Sequence, residues 1–218
     1  IASRILNIHI SEVIIENVDT ESVPNTGPTI NARSVYIIGK CVEQACETIK
    51  KRMKKKEYPI EVKKKVNLLP KKREKAKEHP YHSPVITWES TVVEVEIDPV
   101  TLIVLCRGIW IVLDPGPVVN YEIAREHVEA AAIQNLGHTC MEVLDFKNGL
   151  AYQKSILEYT LPDITTIPEI RVQFIQREIN QKYNPVRGLG DQAVIGIGPA
   201  YISAIYQATE AFCPHIPC

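Results

Sequence analysis

Fourteen of the chain's 25 lysines and arginines fall between Lys50 and Lys77, against only three acids. A segment of about +11 cannot be buried, because each unpaired charge taken out of water costs more than a folded domain's whole margin of stability. Any core must therefore form on either side of it. Pro59 and Pro70 separate its clumps, Lys54-Lys55-Lys56, Lys63-Lys64-Lys65 and Lys71-Lys72-Arg73, and it has few aromatics to stack on bases. The segment reads as a solvated insert or linker, with a docking surface for an acidic partner as the alternative, and no nucleic-acid partner is expected. It divides the chain into residues 1–49, the basic insert 50–88 and residues 89–218. The net charge is only −1, so the flanking parts are acidic.

With 218 residues, 45% of them hydrophobic, those parts can bury a core as one domain or two small lobes. The longest apolar run, Thr101 to Leu113, is broken by Arg107 and is too short to cross a bilayer, so no membrane partner is expected. The opening Ile1-Ala2-Ser3-Arg4 leads into no signal-peptide apolar region. The six cysteines are scattered, with no CxxC and no Cys/His ligand spacing. A reduced, cytoplasmic setting and no protein-ligated metal are expected.

Leu6 to Val18 alternates apolar and polar residues and predicts one or two strands. Asp19 to Thr29 is a loop, punctuated by Pro24, Asn25, Gly27 and Pro28. Val42, Ala45, Cys46 and Ile49 recur at helical spacing and predict a helix from Ser34 or Gly39 to Met53. Val93, Val95 and Ile97 alternate with Glu94, Glu96 and Asp98. With the Asp98-Pro99 turn and the apolar run to Leu113, they predict a hairpin. Tyr121 to Met141 has a long helical pattern, and the run Ala130-Ala131-Ala132 predicts close packing against another backbone. Strands are expected over Gly149–Tyr159 and Ile170–Ile175, and a last helix over Pro199–Phe212. The mixture lacks strict strand–helix repetition and points to an α+β fold.

The chemistry-bearing stretch is Gly188-Leu189-Gly190-Asp191, where two glycines deliver a single carboxylate to a bend ahead of the last helix. Asp191 there is either a general base or the cap of that helix. The stretch formally fits a dinucleotide fingerprint, but Lys182-Tyr183-Asn184-Pro185 before it is no apolar strand, which excludes that reading. Thr29 to Ser34 lies between a Pro/Gly loop and a helix. Its amides with Arg33 suit either an anion site or an ordinary cap. His127 and Gln134 share one helix and are ambiguous alone. No nucleophile triad, phosphate loop or HExxH motif is present.

Five blocks, in order, resemble one family: the molybdopterin-binding domain of the xanthine dehydrogenase/aldehyde oxidase molybdenum hydroxylases, in its C-terminal half. They are Val23-Pro24-Asn25-Thr26-Gly27-Pro28-Thr29 through Ile49, Val93 to Pro99, Asp114-Pro115-Gly116 to Asn120 and then Val128 to Gly137, Leu157 to Glu169, and Arg187 to Asp191. Only residues 50–88 lack a counterpart.

The resemblance implies a fold of mixed strands and helices in two lobes. It implies a molybdenum–molybdopterin cofactor shared with a larger molybdopterin-binding subunit, with the cytosine dinucleotide as one candidate form of the pterin. Electrons would leave through a 2Fe-2S subunit to an FAD subunit. The implied reaction is hydroxylation of an N-heterocycle such as a purine or nicotinate-like ring. A Mo–OH oxygen attacks an electron-poor carbon while hydride passes to the sulfido ligand. Asp191 would be the base, and Asn31, Ala32, Arg33, Ser34, His127, Gln134 and Gly190 would line the cofactor. The resemblance makes the chain one part of a split enzyme, incomplete alone. The alternative is a scaffolding subunit that has lost the base. Three positions depart from the family pattern. Asp191 stands for Glu, shortening the side chain by about 1.5 Å. Gln192-Ala193 stands for Pro-Pro, and His127 for Gln.

Overall fold

The computed structural model of the protein describes residues 1–21, 23–29, 33–65, 87–175, 186–189 and 195–217. It forms two compact units: Ile1–Ile86 with Pro185–Gly188, and Thr87–Asn184 with Leu189–Cys218. The fold is α+β in character, as the residue patterns imply.

In the first unit, α1 (Ala2–Leu6) packs on α2 (Arg33–Lys54). Gly39 of α2 makes room for Ile1, whose Cδ1 lies 3.0 Å from where a Cβ would stand, and Lys50 Nζ donates to Ile5 O at 2.7 Å. The strand expected over Leu6–Val18 is not formed. Asn7 in the left-handed region ends α1. His9 and Glu12 then close a capping box over a 3-10 turn, Ile10–Glu12: the His9 side chain accepts from the Ser11 amide, and His9 N–H donates to Glu12 Oε2 at 2.8 Å. These local side-chain bonds outcompete an alternation that has no partner strand among the described residues. Ile14, Ile15 and Val18 remain exposed.

In the second unit, β1 (Trp88–Ile97) and β2 (Val104–Asp114) form the expected hairpin. Asp98 closes its turn by accepting the Val100 and Thr101 amides, each at 2.8 Å. The pairing slips where Glu94 faces Gly108 and Val95 faces Cys106, leaving Arg107 as an extra residue in β2. That bulge reverses which residues face inward. Val104 and Cys106 point to the core before it, and Ile109, Ile111 and Leu113 after it. It also explains why β2 shows no simple alternation in sequence.

Helix α3 (Tyr121–Cys140) follows, capped by the Asn120 side chain, which accepts from Ile123 N–H at 3.2 Å. β3 (Phe146–Lys147) and β4 (Leu150–Ala151) form a small hairpin around Asn148 and Gly149, both at positive φ. The strand expected over Gly149–Tyr159 therefore shrinks to two residues. An Asn-Gly pair is a turn former, and Ser155 then caps a 3-10 turn at Ile156–Glu158. β5 (Glu169–Phe174) joins β2 in parallel, giving the order β1-β2-β5. A parallel partner requires a long crossover, and α3 lies in it.

The last helix, α4 (Ile197–Thr209), buries Ile197, Tyr201 and Ile205, one residue per turn. α3 packs on β5 and α4, and α4 on β1. Together they cover one face of the sheet. The core lies between, built on Ile109, Ile111, Leu113, Val128, Ala132, Leu136, Ile197 and Tyr201. Ala131 and Ala132 are in it, whereas Ala130 faces solvent. On the opposite face the indole of Trp110 lies over Gly108, in space that any side chain there would fill.

Leu113 has no exposed surface. We expect Leu113→Ala to destabilise the unit by about 3 kcal/mol through lost burial and the cavity left behind. Urea unfolding should show a lower midpoint with an unchanged slope.

Candidate functional site

The residues singled out in the sequence fall in three places. Asn31, Ala32, Gly190 and Asp191 lie outside the described residues. Arg33 opens α2, and Ser34 is half-buried in its first turn, where backbone amides have no partner within the helix. His127 and Gln134 both lie on α3 with exposed side chains. They are two turns apart, on one stripe of the helix and about 10 Å apart along its axis. Ser34 belongs to the first unit, and His127 and Gln134 to the second. What the fold does bring together is a stripe of α3 bearing one imidazole and one amide.

A second feature of the larger unit was not singled out from sequence. Between the start of β1 and the start of α4 runs a groove of about 410 Å³, lined by Thr87, Glu89 and Thr91 on the strand and by Ile195, Gly196, Pro199, Ala200 and Ser203 on the helix side. Glu89 and Thr91 point to the helix-covered face, because they share strand parity with Val93. Thr91 Oγ1 donates to Glu89 Oε1 at 2.5 Å. A Cβ on Gly196 would overlap Glu89 Oε1 and lie 2.6 Å from Thr91 Oγ1, so glycine is what admits the carboxylate here. The only sequence signal for Glu89 was an acid on the inward parity of a strand.

Burial pushes the Glu89 carboxyl above the usual carboxylate range, and the Thr91 hydrogen bond opposes that only in part. The thiol of Cys106, packed against the core, offers no comparable chemistry. Burial, with Cys140 nearby, pushes Cys106 up to about 11, so it stays a thiol at neutral pH. Among the described residues no group of three His, Cys, Asp or Glu side chains could hold a metal ion.

The native state binds the Glu89 proton more tightly than the unfolded chain does. Its ionisation therefore costs no stability below the unfolded pKa, and the cost grows as pH rises through the raised native pKa. Glu89→Gln should be stabilising relative to the parent at pH 7 and lose that advantage at pH 4, as read by urea unfolding at the two pH values.

The chain matches the profile of the molybdopterin cofactor-binding domain over residues 1–65 and 56–168. It is 30% identical over 131 residues to a membrane-bound aldehyde dehydrogenase (pyrroloquinoline-quinone) of Gluconacetobacter polyoxogenes, covering 60% of this chain and 16% of that one. It is 28% identical over 238 residues to a xanthine dehydrogenase/oxidase of Felis catus, covering 98% of this chain and 17% of that one. The aldehyde oxidoreductase of Desulfovibrio desulfuricans shares the fold, with a TM-score of 0.77 at 19% identity over 99% of this chain and 25% of that one. The chain thus spans about a sixth of the curated relatives' length. It belongs to the molybdopterin cofactor-binding domain family of the molybdenum hydroxylases, and covers part of that domain.

Proposed function

We propose that this chain supplies part of the molybdopterin site of a molybdenum hydroxylase that oxidises an N-heterocycle, such as a purine or nicotinate-like ring. The observation that carries the reading is the family match itself, whose segments contain Asn31, Ala32, Arg33, Ser34, His127 and Gln134. The xanthine dehydrogenase/oxidase relative, named for a purine substrate, supports the heterocycle.

The donor set suits the group. A pterin is a flat heterocycle edged with N–H donors and with carbonyl and ring-nitrogen acceptors. Neutral His127 offers one donor and one acceptor nitrogen, and Gln134 an amide with both, from exposed positions on one stripe of α3. Ser34 adds a hydroxyl at the start of α2. We assign Asn31, Ala32, Arg33 and Gly190 to the same lining. The cofactor, when bound, supplies the oxygen-transfer and two-electron chemistry. A cytosine dinucleotide form fits the same proposal.

Asp191 is the proposed general base, holding the proton that the reaction releases. Leu189, two residues before it, packs on the core of the larger unit, and Ile195, four residues after it, lines the groove.

The larger molybdopterin-binding part, the 2Fe-2S centre and the FAD module would be supplied by protein beyond these residues, in the cytoplasm. Ile14, Ile15, Val18 and Trp88 are each at least 70% exposed, as expected of surfaces that another polypeptide surface covers. No helix among the described residues is long and apolar enough to cross a membrane.

In the assembled enzyme, Asp191→Ala should lower turnover of a purine substrate by at least about a hundredfold without loss of molybdenum. His127→Ala combined with Gln134→Ala should lower molybdenum and pterin content. Turnover unchanged by Asp191→Ala would leave the scaffolding role in place of the catalytic one, and turnover of aldehydes alone would remove the heterocycle.

A further inference from the structure

Among the described residues, the half-buried Glu89 carboxylate has no cation to pair with. Its hydrogen bond comes from Thr91 Oγ1, on the Oε1 side, and no described lysine, arginine or histidine forms an ion pair with it. A charge taken out of water is costly unless something compensates it. Here the side chain enters the groove between β1 and α4, through the space that Gly196 leaves by having no Cβ.

The rest of the groove is matched to a hydrogen-bond donor. Thr91 has one hydroxyl hydrogen and gives it to Glu89, so its Oγ1 is left as an acceptor. Ser203 adds a hydroxyl from α4, and Ile195, Pro199 and Ala200 add apolar surface. The start of a helix ordinarily favours an anion. The first turn of α4 gives one little to bind. Gly198 N–H already donates to Asn135 Oδ1 at 2.9 Å and Ala200 N–H to Gly196 O at 3.2 Å, Pro199 has no N–H, and Ile197 is fully buried. An anion would also meet the Glu89 carboxylate. At about 410 Å³ the groove falls in the size range of small-molecule sites.

We propose that this groove binds a small organic cation, a ligand with an amidinium or primary ammonium head on an apolar body. The head donates to Glu89 Oε2, left over by the Thr91 bond, and to Thr91 Oγ1, with Ser203 as a further acceptor along the groove. The body lies on Ile195, Pro199 and Ala200. Charge-assisted N–H···O bonds to a carboxylate are roughly twice as strong as neutral ones. The cation also offsets what burial costs the carboxylate, which otherwise holds its proton more tightly than usual.

The test is a nuclear magnetic resonance titration of the isotope-labelled full chain with benzamidine, which is protonated at neutral pH. It needs neither molybdenum nor turnover, so its outcome is separate from that of the molybdopterin reading. The amide signals of Thr91, Gly196, Ala200 and Ser203 should move together, with a Kd below about 10 mM. Benzamide, the neutral isostere, and tetramethylammonium, a cation without N–H groups, should each bind at least about tenfold more weakly, and benzoate should leave the signals in place. Glu89→Gln keeps the shape of the side chain and removes its charge, and should weaken benzamidine binding at least about tenfold. Ser203→Phe fills the groove without altering the carboxylate. It should weaken binding equally, and it serves if the first variant does not fold. Unmoved signals with benzamidine, equal affinity for benzamide, or full affinity in Glu89→Gln would each overturn the inference. So would shifts spread over the surface with equal affinity for tetramethylammonium, which is the attraction of a cation to acidic charge in general.

Discussion

A three-stranded sheet has two faces and this chain brings two long helices to it, so among the described residues of the larger unit one face is covered and the other is open. That asymmetry organises the rest. Ile109, Ile111 and Leu113 of the central strand are the floor on which α3 and α4 sit, and they are fully buried because β2 is paired on both edges. The bulge at Arg107 lets an almost uninterrupted apolar strand turn the right side chains inward along its whole length. Where the two helices meet above this floor, they do so through small or polar groups, Gly198 against Asn135 and Thr139. The start of α4 is thus defined by hydrogen bonding and close approach rather than by bulk.

The elements legible in the sequence were those whose determinants are local and repeated. β1 alternates from Val93 to Ile97, α3 carries its periodic apolar stripe with Asn120 before it, and α2 keeps helical spacing through Ile49. The N-terminal segment misleads because an alternating pattern needs a partner strand to matter, whereas the bonds among His9, Ser11 and Glu12 need none. At Asn148-Gly149 the turn signal was present, and it outweighs the apolar residues after it. The parallel pairing of β5 with β2 depends on a crossover and leaves no mark in either strand.

The site divides along the same line. His127 and Gln134 could be placed on one helical stripe by spacing alone, and the fold keeps both exposed there. Glu89 and Asn135 could not be recognised, since each has its role only through a glycine near the far end of the chain. Glycine gives no side-chain signal of its own. Gly196 and Gly198 stand in sequence as ordinary residues at a helix start, while in the fold they are the gaps that polar groups from a strand and a helix fill.

The open face of the sheet carries both of the protein's tryptophans, Trp88 near the start of β1 and Trp110 folded over Gly108 on β2. The first is 70% exposed and the second is half-buried. Indole emission moves to shorter wavelength when water is removed from the ring. The chain's intrinsic fluorescence is therefore a label, already in place, for whatever comes to lie on that surface.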